Sequence, residues 1–221
     1  MAQIENELNL LKVETISMWT LVSSQLSKAR IAFLNFDKDL AREVVLKEKR
    51  VNGFELKIDR DCENIFALFC PVAVDLRFLL AILKINSNLE RIGDYAEGIA
   101  RYILDAETKF KPALLEATRI LPMYEECVTM LEMTQAAFEQ EDTVMARGVF
   151  KKDDFLDQVN HDVNKVLEKH LAEHPEDIGE ALWILSIIRK IERVGDQSKN
   201  IAEEIIFYLE AKVLKHKNSK A

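Results

Sequence analysis

The sequence predicts an all-α fold: two tandem antiparallel three-helix bundles built from six long helices. Six Gly and four Pro among 221 residues are too few for a sheet with many turns, and they fall between long runs of Leu, Ile, Val, Glu and Lys. Apolar residues recur at steps of three and four, the period of a helix with one buried face. A duplication divides the chain. Leu83 to Ile103 aligns without gaps on Leu185 to Ile205, an offset of 102 residues, with nine identities in twenty-one positions, where about one is expected from ordinary residue usage. The shared core reads LERIGD in the first copy and IERVGD in the second. The repeat sets two units, residues 1–107 and 108–221.

In chain order, residues 4–34 read as the first helix. Asp37 to Phe69 reads as the second, on the strength of Val44, Val51, Phe54, Ile58 and Ile65. Pro71 then opens the third, since a Pro suits the first turn of a helix. Its seam of Ile82, Ile85, Leu89, Ile92, Ala96, Ile99 and Ile103 runs for three heptads, which predicts packing along its whole length. Thr108 to Leu121, with Phe110, Lys111 and Pro112, reads as a connector. The second unit repeats the plan with Pro122 to Gln140, Asp142 to Leu171 and Pro175 to Lys215. Trp19, Trp183, Phe78 and Phe207 lie in apolar-rich helical segments and are expected in the core.

A net charge of −8 makes the surface repulsive on average to phosphate backbones, so nucleic acid is not an expected partner. The N-terminus, MAQIENELNL, lacks a positive segment followed by an apolar core, and the longest apolar stretches, such as Leu182 to Ile188, are too short to span a bilayer. A cytoplasmic protein without membrane insertion is expected. Cys62, Cys70 and Cys127 form no CxxC spacing and read as buried thiols in a reducing compartment. His161, His170, His174 and His216 are scattered and read as solvated or capping residues. No phosphate-binding loop, dinucleotide fingerprint or HExxH is present.

The chemistry sits on the repeated helices. At 100° per residue, Glu90, Asp94 and Glu97 share one face of the third helix, away from the apolar seam, and Glu192, Asp196 and Glu203 share one face of the sixth. Carboxylates at i and i+4 repel by about 0.2–0.5 kcal/mol on an isolated helix, so the arrangement is unfavourable without a cation. Asp153 and Asp157 form a second pair on the fifth helix, and Glu48 with Asn52 stand at the equivalent place on the second. Counting residues from each turn puts the facing pairs at one level. Four oxygen-bearing side chains converging from two antiparallel helices can hold a hard or borderline cation, which predicts one metal site per unit. Asn52, lacking a charge, makes the first site the weaker. The competing reading is a solvated face, with Arg91–Asp94 and Arg193–Asp196 as ordinary i, i+3 ion pairs. Gly93 and Gly195, each costly in a helix interior, mark either close helix packing or space cleared for a ligand.

The segments LKINSNLERIGDYAEGIA and IIRKIERVGDQSKNIAEEI, together with PVAVDLR at Pro71 to Arg77 and the duplication, resemble the PhoU family of phosphate-uptake regulators. The resemblance spans residues 10–215. It implies a pair of symmetric three-helix bundles, a homodimer, and clusters of metal bound through E/DxxxD motifs. Iron or zinc is the leading expectation, with manganese or magnesium as alternatives. Carried over position by position, the metal ligands are Glu48, Glu90 and Asp94 in the first unit, and Asp153, Asp157, Glu192 and Asp196 in the second. Asn52 departs from the pattern, as does Lys199 where the first repeat has Glu97. The implied function is a non-catalytic adaptor that negatively regulates phosphate uptake and signalling. Its implied partners are the ATPase of the phosphate ABC transporter and a phosphate sensor histidine kinase. A carboxylate-bridged metalloenzyme and a metal-free helical scaffold are the alternatives.

Overall fold

The computed structural model describes residues 2–214 and contains, among them, seven α-helices and no strand: α1 (Ala2–Asn35), α2 (Lys38–Phe69), α3 (Ala73–Asp105), α4 (Pro112–Thr118), α5 (Ile120–Gln140), α6 (Thr143–Glu173) and α7 (Ile178–Glu210). Six are long, and α1–α3 and α5–α7 form the two three-helix bundles. The turns explain the boundaries. Asp37 caps α2, its carboxylate accepting from the amides of Asp39 (3.0 Å) and Leu40 (2.9 Å), and Asp142 caps α6 the same way through Val144 (2.8 Å) and Met145 (3.0 Å). Four long helices stop at a residue of positive φ: Phe36 after α1, Cys70 after α2, Glu141 after α5 and Ala211 after α7.

Several expectations are corrected here. The stretch 108–121 is not a plain connector. It holds α4, opened by Pro112 in its first turn, and the first residues of α5, so Pro122 lies inside a helix rather than at its start. Seven residues are too few for periodicity to announce a helix; α4 exists because Leu114, Leu115 and Thr118 are buried. Pro71 precedes α3, and Pro175 opens a 3-10 turn (Pro175–Asp177) before α7. The seventh helix ends at Glu210, and Lys215 and His216 lie outside the described residues. Cys62 and Cys127 are buried, but Cys70 is exposed because it terminates α2 at the surface. Of the four aromatics expected in the core, Trp19 is fully buried, and Phe78, Trp183 and Phe207 are half-buried.

The seam of α3 is buried at every position from Ile82 to Ile103 that the sequence singled out. The two bundles share one core. Their largest contact is α3 against α7, running antiparallel: Lys84 pairs with Glu204 (3.0 Å), Lys190 lies over the rings of Tyr95 (5.9 Å) and Tyr102 (5.4 Å), and the Tyr102 ring is 5.0 Å from Trp183. A second antiparallel contact joins α1 to α5, with Lys12 on Glu141 (2.7 Å) and the Tyr124 hydroxyl donating to the Leu26 carbonyl (3.3 Å). Phe138 touches Trp19, Phe78 and Tyr208 at ring-centroid distances of 5.5–6.4 Å, tying both halves together. Thus α2, α3, α7 and α6 lie side by side in that order, with α1 and α5 packed on them.

Candidate metal centres on the paired carboxylate helices

The two helix pairs that carry the motifs are built alike. In the first, Val51 of α2 is the side chain that a Cβ on Gly93 of α3 would meet, at 3.2 Å; in the second, Leu156 of α6 meets Gly195 of α7 at 2.5 Å. Each glycine therefore lets two helices approach closely. The Cβ position of Gly195 also lies 3.4 Å from Asp153 Oδ1, an ordinary contact distance, so it is Leu156 that requires the glycine. Beside these contacts, steps of four and three residues project three polar side chains from each helix: Glu48, Asn52 and Glu55 opposite Glu90, Asp94 and Glu97, and Asp153, Asp157 and Asn160 opposite Glu192, Asp196 and Lys199.

In the first cluster, Asn52 Nδ2 donates to Glu48 Oε2 at 2.9 Å, while Glu48 Oε1 and Asn52 Oδ1 are buried without a partner. Glu97 is held on its outer side by Arg101, whose Nε donates at 2.8 Å. Burial and the negative charge of its neighbours Asp94, Glu55 and Glu48 push the Glu90 carboxyl up to about 7. Burial likewise raises Glu48, Glu55 and Asp94, each next to other carboxylates. Lys190 of the second half reaches this cluster and favours ionised Asp94.

In the second cluster a lysine enters the group. Lys199 donates to Asp153, which is 3% exposed, and its Nζ lies 4.0 Å from Asp196 Oδ1. Burial raises Asp153, Glu192 and Asp196, whereas Lys199 pulls Asp153 and Asp196 back down. Burial opposes the charge on Lys199, but the hydrogen bond to Asp153 and the charges of Asp153, Asp196 and Asp157 outweigh it, so the ammonium is held protonated. Arg193, largely exposed, stands 3.6 Å from both Glu192 and Asp196, a loose surface pair worth little.

All seven residues singled out from the sequence thus lie on the two helix pairs, Glu48, Glu90 and Asp94 on one and Asp153, Asp157, Glu192 and Asp196 on the other. As placed, no group of three or more His, Cys, Asp or Glu among the described residues is arranged to hold a metal ion. Closing either cluster on an ion requires side-chain rotation. The first cluster's donor set suits a hard or borderline cation: five carboxyl groups and an amide oxygen, with two of these oxygens, Glu48 Oε1 and Asn52 Oδ1, buried and lacking partners. Asn52 takes one acid from this cluster, while Glu55 and Glu97 add acid where the second cluster has Asn160 and Lys199. Glu55 was legible as the next step along the face of Glu48 and Asn52. Clefts lined by Glu97, Tyr102 and Lys190, and by Tyr102, Lys190 and Glu192, join the clusters into one surface.

A family model described as the PhoU domain matches residues 15–103 and 120–205. This chain belongs to the PhoU family. It is 36% identical over 214 residues to the phosphate-specific transport system accessory protein PhoU of Edwardsiella tarda, covering 97% of this chain and 87% of that one. It is also 36% identical over 215 residues to the PhoU homolog of Aquifex aeolicus, covering 97% and 96%. The crystal structure of PhoU from Pseudomonas aeruginosa superposes with a TM-score of 0.89 at 29% identity, covering 94% of this chain and 99% of that one. The two matched segments of the family model are the two bundles, and each contains one carboxylate helix pair. No helix among the described residues is long and apolar enough to cross a membrane.

Proposed function

We propose that this PhoU-family chain is a non-catalytic accessory regulator of phosphate transport, a cytoplasmic homodimer that restrains uptake and phosphate-responsive signalling. It does so by docking on the ATPase of the phosphate ABC transporter and on the partner sensor histidine kinase. The observation that carries this reading is similarity over nearly the whole chain, both bundles included, to proteins named as phosphate-specific transport system accessory proteins. Metal binding belongs to the same reading. Glu48, Glu90 and Asp94, with Glu55 and Glu97 beside them, form the better donor set, and a bound cation would offset the burial and mutual repulsion that raise Glu48, Glu90 and Asp94. Iron, zinc, manganese and magnesium all accept such oxygen ligands.

The test has two arms. Loss of this chain from its native cell is expected to leave phosphate uptake unrestrained at high external phosphate, and its return is expected to restore control. Uptake that stays regulated without it would sink the regulatory reading. For the metal, elemental analysis of the purified protein is compared with the Glu48→Gln, Glu90→Gln, Asp94→Asn triple variant. Metal present in the native protein and absent from the folded variant is the expected result.

A further inference from the structure

We propose that Lys199 is a tethered cation that occupies the second carboxylate cluster in place of a metal ion. The inference rests on the reading of these clusters as cation sites, and concerns which of them an ion can enter. Three observations carry it. Lys199 projects from α7 in the register that Glu97 holds on α3, so the duplication supplies a direct comparison of the two clusters with and without a lysine at that position. Its ammonium is bonded to Asp153, the most buried carboxylate of either cluster, and stands 4.0 Å from Asp196. The other oxygen of Asp153, Oδ1, is turned against the backbone of α7 at Gly195 and has no polar partner.

The consequences are electrostatic and steric. A divalent ion entering beside the ammonium meets twice the repulsion of two unit charges at the same separation, in a partly buried setting where screening is weak. Withdrawal of Lys199 would leave Asp153 buried without its counter-ion. In the first cluster the corresponding side chain is an acid turned outward to Arg101, and the buried oxygens of Glu48 and Asn52 have no protein cation on them. The second cluster carries an ammonium of its own chain on its most buried carboxylate, whereas the buried oxygens of the first are left to an ion from solution.

Mn2+ binding to the full-length protein, measured by equilibrium dialysis with elemental analysis and by calorimetry, tests this with a series of substitutions. Lys199→Glu copies the first cluster's register, and Lys199→Gln removes the charge with less risk to folding. Either is expected to gain Mn2+ binding at least tenfold tighter at the second cluster, abolished again by adding Asp153→Asn and Asp157→Asn. Glu97→Lys, the reverse exchange, is expected to weaken binding at the first cluster at least tenfold. If native binding survives Glu90→Gln with Asp94→Asn and is lost in Asp153→Asn with Asp157→Asn, the ion enters despite Lys199: the inference falls while the metal reading stands. If the native protein binds no Mn2+ but the Lys199 variants do, Lys199 is the blocking group and the first-cluster reading falls. If neither the native protein nor the folded Lys199 variants bind Mn2+, both fall.

Discussion

Glycine and glutamate at the helix contacts show how single side chains are constrained here. Gly53 on the exposed face of α2 would meet nothing within 4 Å if given a Cβ, whereas Gly195 would press on Leu156 in the buried core. Gly53→Ala is therefore expected to stabilise by about 0.5–1 kcal/mol through helix propensity, and Gly195→Ala to destabilise by about 1–3 kcal/mol through overpacking. Urea melts of the two variants check the opposite signs. Glu90 gives a pH prediction for the metal-free protein. Its carboxyl titrates at about 7 when folded against 4.5 as the unperturbed value, so the native state keeps a proton that the unfolded chain releases between those pH values. Stability thus falls as pH rises from 4.5 through 7. Glu90→Gln removes that loss, with an expected gain of about 1 kcal/mol at pH 8 after allowing for solvent screening, and none at pH 4. Thermal melts in chelator at the two pH values decide it, and an equal gain at both would refute the assignment.

At the scale of elements, the duplicated helices are set by their ends. Aspartate caps place the start of α2 and of α6, and that fixes which residue of each faces the glycine of the next helix. The left-handed stops are made by side-chain-bearing residues, which cost about 1–2 kcal/mol each in that region. Cys70→Gly at the end of α2 is expected to stabilise by about 0.5–1 kcal/mol, read from the denaturation midpoint, because the residue is left-handed and its side chain is exposed. The second unit's turn is latched instead by charge. Lys111 and His170 both bind the Asp177 carboxylate, and the Lys111 side chain holds it below its usual range. That latch ties the connector ahead of α4 to the α6–α7 turn.

Across the whole molecule, the α3–α7 and α1–α5 contacts make one core of two repeats. Each half carries one tryptophan, Trp19 in the first and Trp183 in the second. Single-tryptophan variants are expected to report the same unfolding midpoint from both positions. Phe138, buried among Trp19, Phe78 and Tyr208, links the halves. Phe138→Ala is expected to cost about 3–5 kcal/mol and to shift both tryptophan signals together. Midpoints that separate would show that the halves unfold independently.

Periodicity and the repeat alone determined six long helices, their pairing into two bundles, and the helix faces that carry Glu48, Glu90, Asp94, Asp153, Asp157, Glu192 and Asp196. These follow from the geometry of a single helix and from short connections, both written locally in the chain. The tertiary structure decided what depends on distant residues meeting. It made a helix of 112–118 by burying Leu114 and Leu115, exposed Cys70 at a turn, and left Trp183 half-buried against Tyr102 of the other bundle. It also set the balance of charge between the clusters. Lys199 and Asp153 are 46 residues apart in sequence, and only the antiparallel packing of α6 on α7 turns an i, i+3 surface charge into the counter-ion of a buried carboxylate.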